Sequence, residues 1–479
     1  MPAITGEEYK KRIGAMKSEV WLDGKMVEGP ITEHPAFRGA IQTQAELYDL
    51  QHDQKISETM TFSCEKTGNK IGASFMIPKS TADLGKRRSM IQEWARHSGG
   101  LMGRSPDYMN TVLASFAASV DVLEGEENCY PDRLLKFYES AREKDWSFTH
   151  TFINPQSNRS KLAFLEEDVT NARIIKRLEQ GLVIKGAKLL ATQGGMTDEI
   201  LVFSAPGAQE RCHAYGFSIP CDTPGLKFVC RQSFTHNESS YNAPLSSRYE
   251  EMDTVVIFDE VLVPWDRVFL HDNIKAANQF YTQGKFVPFT LHQIVSRQII
   301  KTELLLGIAN HIVETINISE YQHVQSKVVE IIKGLESMKA LLHYAESNAV
   351  KDEAGIVIPS RKSLYVAVNQ FQELYPRFTE IIQLLGASGM MTIPHEADFK
   401  SSLGKQLDHF LQGVDRKGEE RVRLFRLAWD MTMSSFGSRQ TLYERFFFGD
   451  PVRLSQAIYQ IYDHQPSMHF AAKMMKKKS

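Results

Sequence analysis

The residues best suited to chemistry stand in four short segments. The first is GRSPDYMN, residues 103–110. Arg104 and Tyr108 are four apart, so on one helical turn they face the same side. A guanidinium and a phenol together bind an oxyanion, one by charge and the other by a directed hydrogen bond. Pro106 stiffens the turn, and Ser105 or Asp107 caps the helix that follows. The second segment is THTFINPQSNR, residues 149–159. A histidine such as His150 titrates near neutral pH and serves as acid or base. Gln156, Asn158 and Arg159 offer hydrogen bonds and charge to a phosphate or a heterocyclic edge. In LATQGG, residues 190–195, Thr192 lies beside two glycines that let a planar ligand approach the backbone. FGSRQTLYER, residues 436–445, puts Gly437, Ser438, Arg439 and Gln440 at a helix start, where backbone N–H groups bind a phosphate. Each segment also has a plainer reading: a capped helix with a core tyrosine, a polar strand end, a β-turn, an exposed helix start. Taken singly, the plainer reading is the commoner outcome.

Three stretches of different character must position these segments. The N-terminal third reads as helices. Thr5 and Glu8 form a capping box, and Tyr9, Ile13 and Met16 recur at helical spacing. Ser80 to His97 predicts a second helix ended by Gly99-Gly100, and Met109 to Leu123 a third. From Trp146 to about residue 272 the pattern is strand-like. Arg173–Leu178 and Leu182–Ala187 flank a turn, and Thr254–Phe258 and Val261–Pro264 read as two strands separated by Asp259-Glu260. Beyond about residue 276 the chain is helical again: Ile294–Ile318, Val324–Ser347, Tyr365–Leu385, Arg421–Phe436 and Thr441–Phe448. Four or more long amphipathic helices predict a bundle. The chain therefore divides at 1–145, 146–275 and 276–479, an α+β class that is mostly α. The alternation of a doubly wound sheet is not present.

Composition removes several functions. The 479 residues carry a net charge of -2, so no charge balance points to nucleic acid or an anionic membrane. No stretch of about eighteen apolar residues occurs, so no membrane span is expected. MPAITGEEYKK lacks the apolar core of a secretory leader. Cys64, Cys129, Cys212, Cys221 and Cys230 show no C-x-x-C spacing, which predicts free thiols in a reducing cytoplasm and no metal site. Rossmann, Walker A, nucleophile-elbow and zincin patterns are all missing.

In this order, the segments resemble the oxygenase components of the 4-hydroxyphenylacetate 3-monooxygenase family. The resemblance spans nearly the whole chain and includes ARHSGGLMGRSPDYMN, SFTHTFINPQSNR, GAKLLATQGGMTDEILVFSAP, PLSSRYEEMDTVVIFDEVLVPWDRVF, LYPRFTEIIQLLGASGMM and SSFGSRQTLYERFFFGDP. It implies an acyl-CoA-dehydrogenase-like fold: an N-terminal helical domain, a middle β-barrel and a C-terminal helix bundle, assembled as a tetramer. It implies that a separate NAD(P)H-dependent reductase supplies reduced FAD, that O₂ adds to give a flavin hydroperoxide, and that oxygen passes to the carbon ortho to a phenol. It assigns Arg104, Tyr108 and His150 to substrate and catalysis. It assigns His150, Thr151, Phe152, Gln156, Ser157, Asn158, Arg159, Thr192, Gly437, Ser438, Arg439 and Gln440 to flavin.

One departure bears on substrate. Ser204-Ala205 stands where the family's enzymes for 4-hydroxyphenylacetate place two hydroxyl residues near the substrate carboxylate, and alanine removes a donor. Other para-substituted phenols therefore stay open. The same fold group offers a 4-hydroxybutyryl-CoA dehydratase, whose iron–sulfur cluster needs cysteines. GRSPDYMN has none, and no cysteine follows Cys230 or His292. An acyl-CoA dehydrogenase, with tightly held FAD and a glutamate base, and a non-enzymatic helical scaffold complete the alternatives.

Overall fold

The Thr5 hydroxyl accepts the Glu8 N–H while the Glu8 carboxylate accepts the Thr5 N–H at 2.7 Å, and the first helix, α1 (Gly6–Ala15), starts from that box. The computed structural model describes residues 3–156, 170–204, 207–235 and 238–475. Four longer helices follow in the N-terminal part, α2 (Arg38–Asp49), α3 (Thr81–Ser98), α4 (Pro106–Ala117) and α5 (Pro131–Lys144), with a single helical turn at Ser57–Met60 between α2 and α3. Ser80 and Asp83 box the start of α3, and Gly99 ends it at φ 62°. This part is not purely helical, although its periodicity predicts helices alone. The strands β1 (Glu19–Leu22) and β2 (Lys25–Met26) form a hairpin through Asp23 and Gly24, both at positive φ. An Asp-Gly pair between short strands is a hairpin signal the helical reading passes over.

The middle of the chain builds β3 (Phe148–Thr151), β4 (Arg173–Arg177), β5 (Gly181–Thr192), β6 (Glu199–Phe203), β7 (Tyr215–Pro220), β8 (Leu226–Cys230), β9 (Asp253–Pro264) and β10 (Val268–His271). They form a six-stranded sheet, β2-β1-β8-β9-β5-β4, and a four-stranded sheet, β10-β7-β6-β3. Ile184, Ile200, Phe217 and Phe258 belong to one buried cluster shared by the two. The two strands expected around Asp259-Glu260 are one. The register steps from Phe258↔Gly186 to Val261↔Ile184, one extra residue on β9, and Glu260 there has φ 53°, a bulge rather than a turn.

The remaining longer helices are α6 (Ile274–Gln283), α7 (Phe286–Thr315), α8 (Gln322–Ser347), α9 (Arg361–Gly386), α10 (Gly418–Thr432), α11 (Ser435–Phe446), α12 (Pro451–Ile461) and α13 (Gln465–Met475). The break expected between Phe436 and Thr441 falls instead at Met433-Ser434. There the Ser434 hydroxyl accepts the Gly437 N–H at 3.0 Å and donates to Asp430. A Cβ on Gly437 would lie 2.7 Å from the Met431 carbonyl carbon, so only glycine lets α11 turn this closely against α10. A second core, containing Trp94, Phe116, Ile294, Phe371 and Phe425, joins α3, α4, α7, α9 and α10. The result is α+β and mostly helical, with the acyl-CoA-dehydrogenase-like order of helices, sheets and bundle.

Candidate active site

Arg104 lies in the turn before α4. The buried Glu251 carboxylate, just ahead of β9, accepts the backbone N–H of Gly103 at 2.8 Å and of Arg104 at 2.6 Å. This clamp fixes where the Arg104 side chain leaves the backbone. Gly103 must lack a side chain, because a Cβ there would sit 2.2 Å from the Tyr443 hydroxyl. The guanidinium donates to that hydroxyl at 3.1 Å and to the Gly103 carbonyl at 2.9 Å. It lies 4.6 Å from the Tyr108 ring centre and 4.7 Å from that of Phe447. Each such cation–aromatic contact is worth about 0.5–2 kcal/mol. Arg104 Nε is buried with no hydrogen-bond partner among the described residues.

His150 projects from β3, which pairs in parallel with β6 (His150↔Leu201). Its ring centre is 5.9 Å from Tyr108 and 4.5 Å from Phe152. Burial, and after it the Arg104 charge, holds the imidazole well below its ordinary pKa, so it is neutral at pH 7. Burial pushes the Tyr108 phenol well up, so it keeps its proton. His150 Nδ1 and Thr151 Oγ1 are buried without a partner among the described residues, and so is Gln193 Oε1. Buried polar atoms are nearly always satisfied, so each of these is open to a further hydrogen bond. Aromatic rings line the adjoining wall: Phe152 lies 6.1 Å from Phe203, 6.0 Å from Tyr281 and 6.3 Å from Phe286.

Thr192 and Arg439 meet at one carboxylate. Asp253 accepts from the Thr192 hydroxyl at 2.8 Å, from Arg439 at 2.9 and 2.6 Å, and from Arg231 at 3.0 Å. Burial raises the pKa of Asp253, but Arg439 and then Arg231 overcome it and hold the group ionised. The Thr149 hydroxyl donates to the Thr192 carbonyl at 2.6 Å, tying β3 to the LATQGG turn. The fold thus brings Arg104, Tyr108, His150 and Phe152 together and joins Thr192 to Arg439.

The remaining expected positions are spread more widely. Gln440 is fully buried and donates to the Leu101 carbonyl at 2.9 Å while accepting from Lys301 at 2.6 Å. Ser438 is exposed, and the Gly437 N–H is taken by Ser434. The Ser204 hydroxyl donates to the Tyr215 carbonyl at 3.0 Å and accepts its N–H at 2.7 Å. Gln156 is exposed. Ser157, Asn158, Arg159 and Ala205 lie outside the described residues.

Two residues that matter here carry no signal in the motif reading. Glu251 and Asp253 sit in RYEEMD, quoted for the resemblance without a role. The available signal was three carboxylates packed just ahead of an apolar strand, a place where free charge is costly.

Residues 5–270 match the family described as 4-hydroxyphenylacetate 3-hydroxylase N terminal, and residues 277–476 its C-terminal counterpart. The chain belongs to the 4-hydroxyphenylacetate 3-hydroxylase family. A probable 4-hydroxyphenylacetate 3-monooxygenase of Bacillus subtilis (strain 168) is 54% identical over 471 residues, covering 98% of each chain. A crystal structure of the oxygenase component of 4-hydroxyphenylacetate 3-monooxygenase, complexed with FAD and 4-hydroxyphenylacetate, has a TM-score of 0.94. It is 42% identical and covers 98% of both chains. A 4-hydroxybutyryl-CoA dehydratase from N. maritimus has a TM-score of 0.89 at 20% identity, a likeness in fold alone. The family relatives therefore favour the monooxygenase over the dehydratase.

Proposed function

We propose that this chain is the oxygenase component of a two-component flavin monooxygenase, converting a phenol to a catechol by ortho-hydroxylation. The observation that carries this reading is the convergence of Arg104, Tyr108 and neutral His150 on one aromatic-walled place. The buried, unpartnered His150 Nδ1, Thr151 Oγ1, Gln193 Oε1 and Arg104 Nε suit a cofactor rich in donors and acceptors, and FAD is one. His150, Thr151, Phe152 and Thr192 would hold it, with Gln156, Ser157, Asn158, Arg159 and the Gly437–Gln440 turn toward its distal part. Reduced FAD, supplied by a separate NAD(P)H-dependent reductase, provides the electrons that activate O₂ as an oxygen donor.

The protein's own part is positioning, charge and dryness. Neutral His150 accepts a hydrogen bond from the phenol O–H, which shifts electron density onto the ring and its ortho carbon. Arg104, held by Glu251 and two aromatic faces, stabilises the partial negative charge on the phenolic and transferred oxygens. Tyr108, protonated by virtue of burial, donates a directed hydrogen bond beside it. Phe152, Phe203, Tyr281 and Phe286 exclude water, which otherwise diverts activated oxygen to peroxide.

The substrate class is a para-substituted phenol, 4-hydroxyphenylacetate among them. With the Ser204 hydroxyl engaged by Tyr215 and Ala205 lacking a donor, a substrate carboxylate would find less support at this edge than two free hydroxyls give. Exposed Leu442, Phe446, Val452, Tyr459, Phe470 and Met474 on α11 to α13 support association of copies, as a tetramer. Five free cysteines suit a cytoplasmic setting, and among the described residues no helix is long and apolar enough to cross a membrane. The division at 1–145, 146–275 and 276–479 follows the change from helices to sheets to bundle. The deciding experiment mixes purified protein with a flavin reductase, NADH, FAD and a panel of para-substituted phenols. Coupled catechol formation is expected, and flavin oxidation yielding only peroxide across the panel would overturn the reading.

A further inference from the structure

Lys188 lies on β5, and its side chain is buried at 1% exposure in the sheet region. Its ammonium donates to Asn154 Oδ1 at 2.8 Å, to the Phe203 carbonyl at 3.3 Å and to the Phe152 carbonyl at 3.4 Å. All three acceptors are neutral, and among the described residues no carboxylate pairs with it. Burial pushes its pKa down to about 7, a sign of what the surroundings cost the charge. A charge held in this way is expensive, and a structure that needs only apolar filling uses leucine or methionine instead.

The three acceptors belong to two chain ends that otherwise part company. β3 pairs with β6 up to Thr151↔Val202. After that the chain crosses to the other sheet, where the Leu189 N–H donates to the Ile153 carbonyl at 2.9 Å. Phe152 and Asn154 are on the crossing segment, and Phe203 is the last residue of β6. Lys188 fastens the two at the point of divergence. One residue further, the Tyr281 hydroxyl donates to the Ser204 carbonyl at 3.0 Å. The Phe152 ring is thereby held against His150 on one side and Phe203 and Tyr281 on the other.

Resting on the function proposed above, we propose that Lys188 is a positioning residue that closes the aromatic wall between His150 and Ser204, and so keeps oxygen transfer coupled to product. It touches neither phenol nor flavin. It acts through the Phe152 and Phe203 backbone, and its loss opens the wall to water, so the same flavin oxidation yields more peroxide and less catechol.

Lys188→Met keeps the length and removes every donor, while Asn154→Ala removes the shortest of the three bonds and leaves the lysine. Each is compared with the unaltered protein in single turnovers with reduced FAD below the protein concentration. Catechol formed per flavin oxidised is the readout. Folded protein is kept in excess over flavin and its fraction measured alongside, since unbound reduced FAD is oxidised in solution to peroxide alone. Lys188→Met is expected to lower that ratio about five- to tenfold and raise the KM for phenol, with reduced-FAD affinity within about twofold. Asn154→Ala is expected to lower it about twofold. Hydrogen exchange without flavin gives an independent reading: amides of 150–154 and 202–204 exchange faster in Lys188→Met, while those of α9 do not. A folded Lys188→Met with unaltered coupling, KM and exchange overturns the inference. If that variant does not fold, unaltered coupling in Asn154→Ala overturns it. Failure of the unaltered protein to make catechol falls on the proposed function instead.

Discussion

Lys188, Lys285 and Lys301 are the buried lysines among the described residues, and the surroundings of Lys188 and Lys301 differ most. Lys301, on α7, meets Glu444 at 2.8 Å, and the same carboxylate takes Arg297 at 2.7 and 3.1 Å and Gln298 at 3.1 Å. Arg297 also donates to the Gly100 carbonyl and Gln440 to that of Leu101, while Gln298 Oε1 has no partner among the described residues. Burial lowers Lys301, Glu444 raises it in part, and it comes to rest at about 8. Lys188 has only neutral acceptors and lies beside the unpartnered polar atoms of His150 and Thr151. The first arrangement is a charge-paired network that fastens α7 to α11 and the turn before α4. The second is a buried charge without a counter-charge, on the segment that carries Phe152 beside His150. Charge-paired buried networks rigidify a core, whereas a buried charge without a counter-charge costs stability.

The contrast breaks most readily at Glu444. Glu444→Gln leaves Arg297 and Lys301 buried without a counter-charge, and a stability loss of about 3–5 kcal/mol is expected in denaturant unfolding. A loss below about 1 kcal/mol would mean the bundle network does not fasten the helices.

The pH dependence separates the two regions by sign. Burial raises Glu444, but Arg297 and Lys301 overcome it and bring it down to about 2 from an ordinary 4.5. Its stabilising contribution is therefore full above about pH 4.5 and is lost as pH falls toward 2, about 3 kcal/mol in all. Lys188 goes the other way. With its folded pKa at about 7 against 10.5, it costs stability fully below pH 7, and the cost fades as pH rises to about 10.5. His213 and the Tyr215 ring, 5.3 Å away, are the described titratable groups facing it. Unfolding of Lys188→Met and of the unaltered protein, run from pH 6.5 to 10.5, should show the difference moving toward the unaltered protein. A flat difference would remove Lys188 from the contrast.

Around His150, Arg104→Ala is expected to lower coupled catechol formation about 100-fold, or about 2.7 kcal/mol, with little change in melting temperature. Native coupling in that variant would leave the site without its oxyanion partner. The smallest effect is expected at Asp253, which orders Thr192 and Arg439 without reaching the phenol. Asp253→Asn should weaken reduced-FAD binding about tenfold, about 1.4 kcal/mol, and leave the KM for phenol near native. A change confined to the phenol KM would move Asp253 from the flavin side to the substrate side.

Much of the local structure is legible in the sequence, because it depends on neighbours a few residues apart. Thr5/Glu8 and Ser80/Asp83 cap their helices as the spacing predicts, and Gly99 ends α3. Arg104 and Tyr108 do meet, but Arg104 stands in the turn ahead of α4, not on the helical turn that a separation of four suggests. The Asp23-Gly24 hairpin was equally legible but was outweighed by the helical rhythm around it. The bulge at Glu260 was not: a charged pair inside an apolar run reads as a turn, and only nine paired positions along β5 make one strand of it.

By itself, then, the sequence determined the elements, their order and the residue types that bear chemistry, since caps, periodicity and side-chain donors are local properties. Tertiary structure alone decided that Glu251 would seat Arg104, that Phe447 and Tyr443 would cover it, that Asp253 would join Thr192 to Arg439, and that Lys188 would tie Phe152 to Phe203. Those pairings join segments far apart in the chain. No local spacing encodes them; they follow from how the sheets and the bundle pack, and from the high cost of leaving any of those groups buried and alone.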